Sequence, residues 1–183
     1  MKQSYKLNLS LAFLIITSLV TAQQKKFTVK YIDAPITIDA VLNEADWDRA
    51  DVAGNFWQQF PTDSLQAKAQ TEIKMLFDDE NLYVGIKVYA AGDDYVIPSL
   101  RRDFRAGGND NITLLFDTFN DATNAFIFGS NPYGVRREML LSNGGTNVRD
   151  FDGSWDVIWR GESKMYEGYY ICLLYTSPSP RDA

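Results

Sequence analysis

The chain has 183 residues, a formal net charge of -6 and no histidine. An acidic chain disfavours nucleic acid and anionic lipid as partners, because both carry the same sign of charge. The absence of histidine excludes Ser-His-Asp and Cys-His catalysis and most zinc sites. Cys172 is the only cysteine, so no disulfide forms within the chain. Aromatic residues make up 14% of the chain and are the one compositional hint of a ligand that stacks.

Residues 1–22 have the three-part pattern of a secretory signal peptide. Lys2 and Lys6 precede a mostly apolar stretch at residues 7–20, and Val20-Thr21-Ala22 places small residues before a cleavage point. The apolar stretch is shorter than the roughly 20 residues that span a bilayer. We therefore expect export to the periplasm, the outer membrane or the medium.

Short apolar stretches then alternate with Gly, Asn and Asp clusters, which is typical of all-β proteins. We expect short strands at residues 27–31, 36–38 and 56–60. Between them, residues 43–46 are expected to cap a brief helix that carries Trp47 and Ala50 on its buried side.

The clearest element is a hairpin. Residues 71–77 alternate with Ile73, Met75 and Phe77 on one face, and residues 82–88 continue the alternation after a turn at 78–81. This period of two predicts one buried and one exposed face. Further strands are predicted at 111–116, 125–128, 135–141 and 155–160, with a turn at 131–134. About eight short strands and one small helix favour an all-β, antiparallel β-sandwich of jelly-roll-like type.

Four stretches resemble the family 9 carbohydrate-binding modules. The first, residues 36–50, is similar to the family's opening I-D-G-x-L-x-E-x-x-W-x-x-A, with Ala40 in place of the usual glycine. The others are the hairpin at 71–88, Arg102-Asp103 with residues 109–117, and residues 126–134 with 155–159. Together they span about residues 33–171. The match is closer to a subgroup at the N-terminus of exported proteins whose remainder resembles an outer-membrane β-barrel.

This resemblance implies a non-catalytic domain that binds carbohydrate, takes part in carbohydrate catabolism and can be attached to a glycoside hydrolase. Any hydrolysis of O-glycosyl bonds would then belong to the attached domain. The alternative is a periplasmic or surface domain of an outer-membrane β-barrel protein that uses the sandwich for protein contacts.

Sugars present apolar C–H faces and a rim of hydroxyls, so a binding site combines aromatic platforms with charged or amide groups. The resemblance implies a pair of tryptophans that clasps the sugar, and Trp57 and Trp155 are the candidates. The candidates for the polar rim are Arg102, Asp103, Asp110, Asn131 and Tyr133. Trp47 is expected in the core. Trp155 and Trp159 are four apart on the predicted strand and should share a face.

No cofactor is expected, although calcium is an alternative that the resemblance allows. The carboxylates that could hold it are Asp78, Asp79, Asp117 and Asp152. They do not follow the spacing of an EF-hand, so solvated turn carboxylates are the preferred interpretation. Asp117 adjoins an apolar strand and needs a partner such as Arg, a backbone N–H or a metal ion.

The last residues break the preceding pattern. Residues 172–182 resemble the translation of a common transposase-type sequencing adaptor, so we expect a non-native tail at 172–183. The sandwich at 23–171 is then truncated at its C-terminus and lacks the last strands of the family. A Pro/Ser linker to a further domain is the alternative. Because the two ends carry a net +2 from Lys2, Lys6, Arg181 and Asp182, the net charge of residues 23–171 is -8.

Overall fold

The computed structural model describes residues 26–90 and 94–176, and the predicted signal peptide lies outside them. The described residues form two sheets. The five-stranded sheet has the order β1 (Lys30–Tyr31), β2 (Gln70–Phe77), β3 (Leu82–Tyr89), β9 (Tyr169–Thr176), β8 (Trp159–Tyr166). The four-stranded sheet has the order β4 (Ile112–Phe116), β5 (Ala125–Ser130), β6 (Arg136–Leu141), β7 (Phe151–Asp152). All pairs within these sheets are antiparallel except β1 with β2.

Helical structure is sparse in the described residues. It consists of α1 (Asp46–Arg49) and two short 3-10 turns, Asn143–Gly145 and Val148–Asp150. No helix in the described part of the chain has the length and apolar character to cross a membrane. The prediction of an all-β sandwich with one short helix is confirmed.

The main core lies between the two sheets. Alternate residues of β3, among them Val84 and Ile86, pack with Cys172 of β9 against Leu114 and Phe128 of the other sheet. Each large apolar side chain buried in this way contributes about 1.5–3 kcal/mol to folding. The hairpin of β2 and β3 follows the predicted register, since Phe77 pairs with Leu82 and Gln70 with Tyr89.

The opposite face of the five-stranded sheet is half covered, which corrects the prediction that it is exposed. Leu76, Tyr83 and Leu173 are at most 2% exposed and pack under the segment that carries Ile32 and Trp47. Both faces of these strands therefore carry apolar residues. The alternation of Ile73, Met75 and Phe77 predicted only the face that points toward the main core. It did not predict that the other face is covered, because the covering segment is distant in the sequence.

The close approach of this segment depends on Gly85. A Cβ at residue 85 would lie 2.8 Å from Cδ2 of Leu42 and 3.1 Å from ring atoms of Trp47. Glu44 fixes the segment from above, since Oε1 accepts from the Thr37 N–H at 3.0 Å and Oε2 accepts from the Trp47 indole at 3.1 Å. The expected core position of Trp47 is confirmed. The predicted cap at 43–46 is wrong, because the N-cap is Ala45 and no side chain caps α1.

Several predicted boundaries shift. Residues 36–38 form no strand, and the predicted strand at 56–60 is reduced to an isolated bridge between Trp57 and Gln66. The strand predicted at 155–160 begins at Trp159 and continues to Tyr166. Residues 172–176 form the second half of β9, with Cys172 and Leu173 buried between β3 and β8. The nucleotide origin of residues 172–182 stays a prediction.

Replacing Ala122 with glycine is expected to raise the free energy of unfolding by about 0.5–1 kcal/mol. Ala122 is exposed and has a φ of 57°. This left-handed conformation costs a residue with a Cβ about 1–2 kcal/mol. Glycine avoids that cost but loses more backbone entropy on folding, so only part of it is recovered. The matched control is the reverse change, Gly168→Ala, because Gly168 is also exposed, has a φ of 81° and has no atom within 4 Å of an added Cβ. It should be destabilised by about 0.5–1 kcal/mol. Urea unfolding of both variants checks the opposite signs.

Candidate functional site

The least exposed residue with an acidic or basic side chain in the described structure is Glu138, in the middle of β6. Its side chain is only 2% exposed. Two groups compensate it: the Arg102 guanidinium forms an ion pair with Oε1, and the Trp159 indole N–H donates to Oε2 at 2.9 Å. A buried carboxylate persists only when its oxygens are paired in this way. The buried Glu138 therefore holds the Arg102 side chain in a defined position.

Asp156 completes this group at the surface. Its Oδ1 accepts from Nη2 of Arg102 at 2.8 Å, and its side chain is 77% exposed. Burial raises the pKa of Glu138, whereas a hydrogen bond with Glu138 and the charge of Arg102 lower the pKa of Asp156. The two carboxyl groups thus titrate as a pair, with the proton favoured on the buried Glu138 and the negative charge on the exposed Asp156.

A cleft of about 380 Å³ opens beside this pair, and we call it the Arg102 cleft. Its lining consists of Arg102, Arg136, Asp156, Val157, Ile158 and Trp159. One wall is apolar, since Ile158 is 68% exposed. The opposite side presents the exposed ends of Arg102 and Asp156. Arg136 covers the buried Trp159, with its guanidinium 5.3 Å from the ring centroid and a hydrogen bond to the Trp159 carbonyl.

Asp103 stabilises the backbone of β6, the strand that carries Arg136 and Glu138. It has a φ of 59°, its N–H donates to the Arg136 carbonyl at 3.0 Å, and its Oδ1 accepts from the Glu138 N–H at 3.3 Å. These bonds occupy the open edge of β6 where β7 does not pair. The contact between Arg102 Nε and Asp103 Oδ2 is 3.8 Å and exposed, and such pairs contribute about 0–1 kcal/mol. Asp103 therefore positions β6 more than it holds Arg102.

Three other predicted rim residues lie elsewhere. The side chain of Asn131 is fully buried, and its Oδ1 accepts from the N–H groups of Tyr133 and Val135 in the β5–β6 turn. Asp110 accepts from the Val96 N–H at 2.7 Å and fixes the loop before β4. Tyr133 is 55% exposed at the tip of the turn. The turn predicted at 131–134 is confirmed, and the hydrogen bonds of the Asn131 side chain stabilise it.

The two candidate tryptophans differ in burial and in surroundings. Trp57 is 57% exposed, on a loop whose Phe56 carbonyl lies 3.4 Å from the Gln70 side-chain amide at the start of β2. Trp155 is half-buried in the main core, with ring centroids 5.2 Å from Phe126 and 5.9 Å from Phe128. The stacking roles of Trp57 and Trp155 stay predictions.

Three of the four candidate calcium ligands accept hydrogen bonds from nearby residues of the chain, and the fourth, Asp79, interacts with the Tyr31 hydroxyl on β1. Asp78 accepts from two backbone N–H groups and from the Tyr83 hydroxyl. Burial, together with this hydrogen bond, raises the pKa of Tyr83 to about 12. Asp117 accepts from the N–H groups of residues 121 and 122, so it has the backbone partners that its position required. Asp152 accepts from Ser154. In the described residues no three His, Cys, Asp or Glu side chains converge as a metal site.

A second groove of about 380 Å³ lies on the outer face of the five-stranded sheet, beside the covering segment. Tyr166 and Tyr169 stack there with centroids 4.8 Å apart, and Nζ of Lys87 lies 4.2 Å from the Tyr169 centroid. Glu72 and Lys74 complete its polar lining. The sequence predictions named neither this groove nor Glu138 and Arg136. The signal for Glu138 was that it is the one carboxylate of β6, between Arg137 and Met139.

Two solved structures are similar to this fold. Both are of a carbohydrate binding module family 9 from Caldicellulosiruptor kristjanssonii, one in complex with glucose and one with cellotriose. The first has 14% sequence identity and a TM-score of 0.55, covering 82% of this chain and 68% of that chain. The second has 16% identity and a TM-score of 0.53, covering 85% of this chain and 68% of that chain. At these identities the likeness shows a shared fold. No protein-family profile and no curated protein matches the chain.

Proposed function

We propose that the chain is a non-catalytic carbohydrate-binding domain and that the Arg102 cleft is its sugar site. The observation that carries this proposal is the exposed Arg102–Asp156 pair, which the buried Glu138 holds in place beside an apolar wall. The glucose and cellotriose complexes of structures with this fold support the choice of ligand class.

The cleft suits the two surfaces of a sugar. Arg102 offers N–H donors and Asp156 offers carboxylate oxygens, so together they match a hydroxyl pair that both accepts and donates. The exposed Ile158 and the neighbouring Val157 offer an apolar surface for the C–H face of the ring. Because Arg102 is held by Glu138, less side-chain entropy is lost on binding.

The same geometry disfavours catalysis. A glycosidase needs two carboxyl groups about 5–10 Å apart, both reaching the glycosidic bond. Glu138 is 2% exposed and is hydrogen-bonded to Asp156, so the pair does not flank a substrate. Attachment to a glycoside hydrolase, export and a role in carbohydrate catabolism belong to this proposal as well.

Asp156→Asn is expected to weaken sugar binding about tenfold or more, because a hydrogen bond to a charged group is worth about 1.5–3 kcal/mol. Isothermal titration calorimetry with glucose and cellotriose measures this. Asp48→Asn is the matched control, because Asp48 is an exposed carboxylate on α1, on the far side of the five-stranded sheet. Failure of the unmodified protein to bind glucose, cello- or xylo-oligosaccharides would sink the sugar proposal. Unchanged binding by Asp156→Asn would move the site elsewhere.

One observation favours protein contact as a second function. The loop between α1 and β2 exposes Phe56, Trp57, Phe60 and Leu65, between 37% and 87% of each side chain. A cluster of exposed large apolar side chains is typical of an interaction surface. This supports the alternative of a surface domain in an outer-membrane β-barrel protein. Genomic sequence downstream of this segment tests it, since about ten or more amphipathic strands are expected there.

A further inference from the structure

Arg137 on β6 is a buried guanidinium without a carboxylate partner in the described part of the chain. The residue is 8% exposed, and none of the ion pairs found there includes it. Its Nη2 lies 2.9 Å from the Met139 sulfur and its Nη1 lies 3.5 Å from the Thr113 hydroxyl, both weak partners. Its Nε is buried with no hydrogen-bond partner.

The surroundings hold the Arg137 side chain in this position. A Cβ at Gly129 would lie 2.8 Å from Cγ of Arg137, so the glycine leaves room for the aliphatic stem to cross β5. The ring centroid of Phe104 lies 5.9 Å from the guanidinium carbon. This cation–π contact contributes about 0.5–2 kcal/mol, less than the several kcal/mol that burying an ion costs. Burial lowers the pKa of Arg137, and the nearby charge of Asp103 opposes this only in part.

A pocket of about 530 Å³ lies beside this guanidinium, and we call it the Arg137 pocket. Its polar lining comes from Arg105, Arg137, Thr146 and Asn147. Its apolar lining includes Val148 and Phe151, which are 90% and 39% exposed. No Asp or Glu from the described residues lines it. The pocket therefore has two arginines and no carboxylate in its described lining, although the net charge of the chain is -6.

The Arg137 pocket and the Arg102 cleft lie on opposite faces of the four-stranded sheet. Arg137 and Glu138 are consecutive in β6, and consecutive side chains of a strand point to opposite faces. Glu138 faces Trp159 and the other sheet, so Arg137 faces outward under the segment that carries Phe104. The two sites therefore bind separately.

We propose that the Arg137 pocket binds an oxyanion, either a free sulfate or phosphate or the carboxylate of an acidic sugar. Arg137 supplies parallel N–H donors from its rigid fork, which match two oxygens of such a group. Arg105 adds a second positive charge, and the side-chain amide of Asn147 adds a neutral donor through the N–H that does not bond to Thr146. The exposed Val148 and Phe151 give an apolar surface for the ring of an acidic sugar.

The test is a titration followed by calorimetry and by amide NMR shifts, with sodium sulfate, sodium phosphate, glucuronate and glucose at constant ionic strength. We expect at least one anion to bind and to shift the amides of residues 145–148, whereas glucose should leave these amides unmoved. Binding of sulfate or phosphate identifies a general oxyanion site. Binding of glucuronate without the inorganic anions identifies a site for acidic sugars.

Variants separate this site from general electrostatics. Arg105→Gln and Arg137→Met should each weaken anion binding at least tenfold. Arg160→Gln is the matched control, because Arg160 is an exposed arginine on β8 in the other sheet. Asp156→Asn should leave anion binding unchanged, so failure of the sugar proposal and failure of this one are distinguishable. Arg105 is exposed, so its replacement stays informative even where Arg137→Met fails to fold. The proposal is overturned when no anion binds, or when Arg105→Gln binds as tightly as the Arg160→Gln control.

Discussion

Replacing Trp47 with alanine is expected to lower the free energy of unfolding by about 3–5 kcal/mol, the usual cost of emptying a buried tryptophan site. Trp47 is 1% exposed and fills the space above Gly85 on the outer face of the five-stranded sheet. Its indole N–H also satisfies Oε2 of Glu44. The variant therefore leaves a cavity and loosens the covering segment. Urea denaturation followed by circular dichroism measures the loss.

Trp57→Ala is the matched control for this substitution. The same number of atoms is removed, but Trp57 is 57% exposed on a loop, so the expected loss is below about 0.5 kcal/mol. A loss of less than 1 kcal/mol for Trp47→Ala would show that the covering segment contributes little to folding. An equal loss for both variants would contradict the different burial of the two rings.

Replacing Arg102 with methionine is expected to destabilise the domain by about 2–3 kcal/mol at pH 8. Removing one partner of a buried ion pair typically costs about 3–5 kcal/mol, because the other charge is left uncompensated. The Arg102 side chain is 43% exposed, so water already weakens the pair and the expected loss is smaller than for a fully buried pair. Apolar length is retained by methionine, which separates loss of charge from loss of packing.

The defect of Arg102→Met should shrink as the pH falls from 8 to 5. Burial raises the pKa of Glu138 above its ordinary value of 4.5, and Arg102 opposes this rise. Without Arg102 the folded state holds a proton on Glu138 that the unfolded chain releases above about pH 4.5. The folded state then binds more protons, so stability falls as the pH rises through this window. The pKa of Asp156 is lowered, so its titration lies below the window.

Unfolding measured at pH 5, 6, 7 and 8 checks this expectation. Glu138→Gln in the Arg102→Met background is the control, since it removes the titrating group and should flatten the pH dependence. Together with the Glu138→Gln single variant and the unmodified protein, these two variants form a double-mutant cycle that isolates the interaction between Arg102 and Glu138. A defect that is the same at pH 5 and pH 8 would show that Glu138 does not take up a proton.

The local elements were largely predictable. The alternation in β2 and β3 gave the hairpin and its register, and the spacing of Trp47 from Ala50 gave the core side of α1. Both signals are local, because the period of a strand or helix places side chains on one face. The prediction failed for the covered outer face of the hairpin, since Leu76 and Tyr83 pack against a segment that lies 29 to 51 residues earlier in the sequence, counted to Trp47 and Ile32.

The candidate site was only half predictable. Arg102 and Asp103 were identified through the resemblance, but their partners were not. Arg102 contacts Glu138 and Asp156, which are 36 and 54 residues away in the sequence. Asn131 was assigned to the polar rim because asparagine suits sugar hydroxyls, yet the turn uses its side chain and buries it. Residue type alone does not distinguish a side chain that contacts a ligand from one that stabilises a turn.

The sequence by itself determined the all-β class, the hairpin, the buried Trp47 and the lack of histidine chemistry. Only the tertiary structure decided that Trp57 is exposed while Trp155 packs against the core, that Arg102 contacts a buried carboxylate, and that Arg137 lies buried without one. The physical reason is that strand period fixes the face on which a side chain lies, whereas the order of strands and the path of the loops decide which charges share that face.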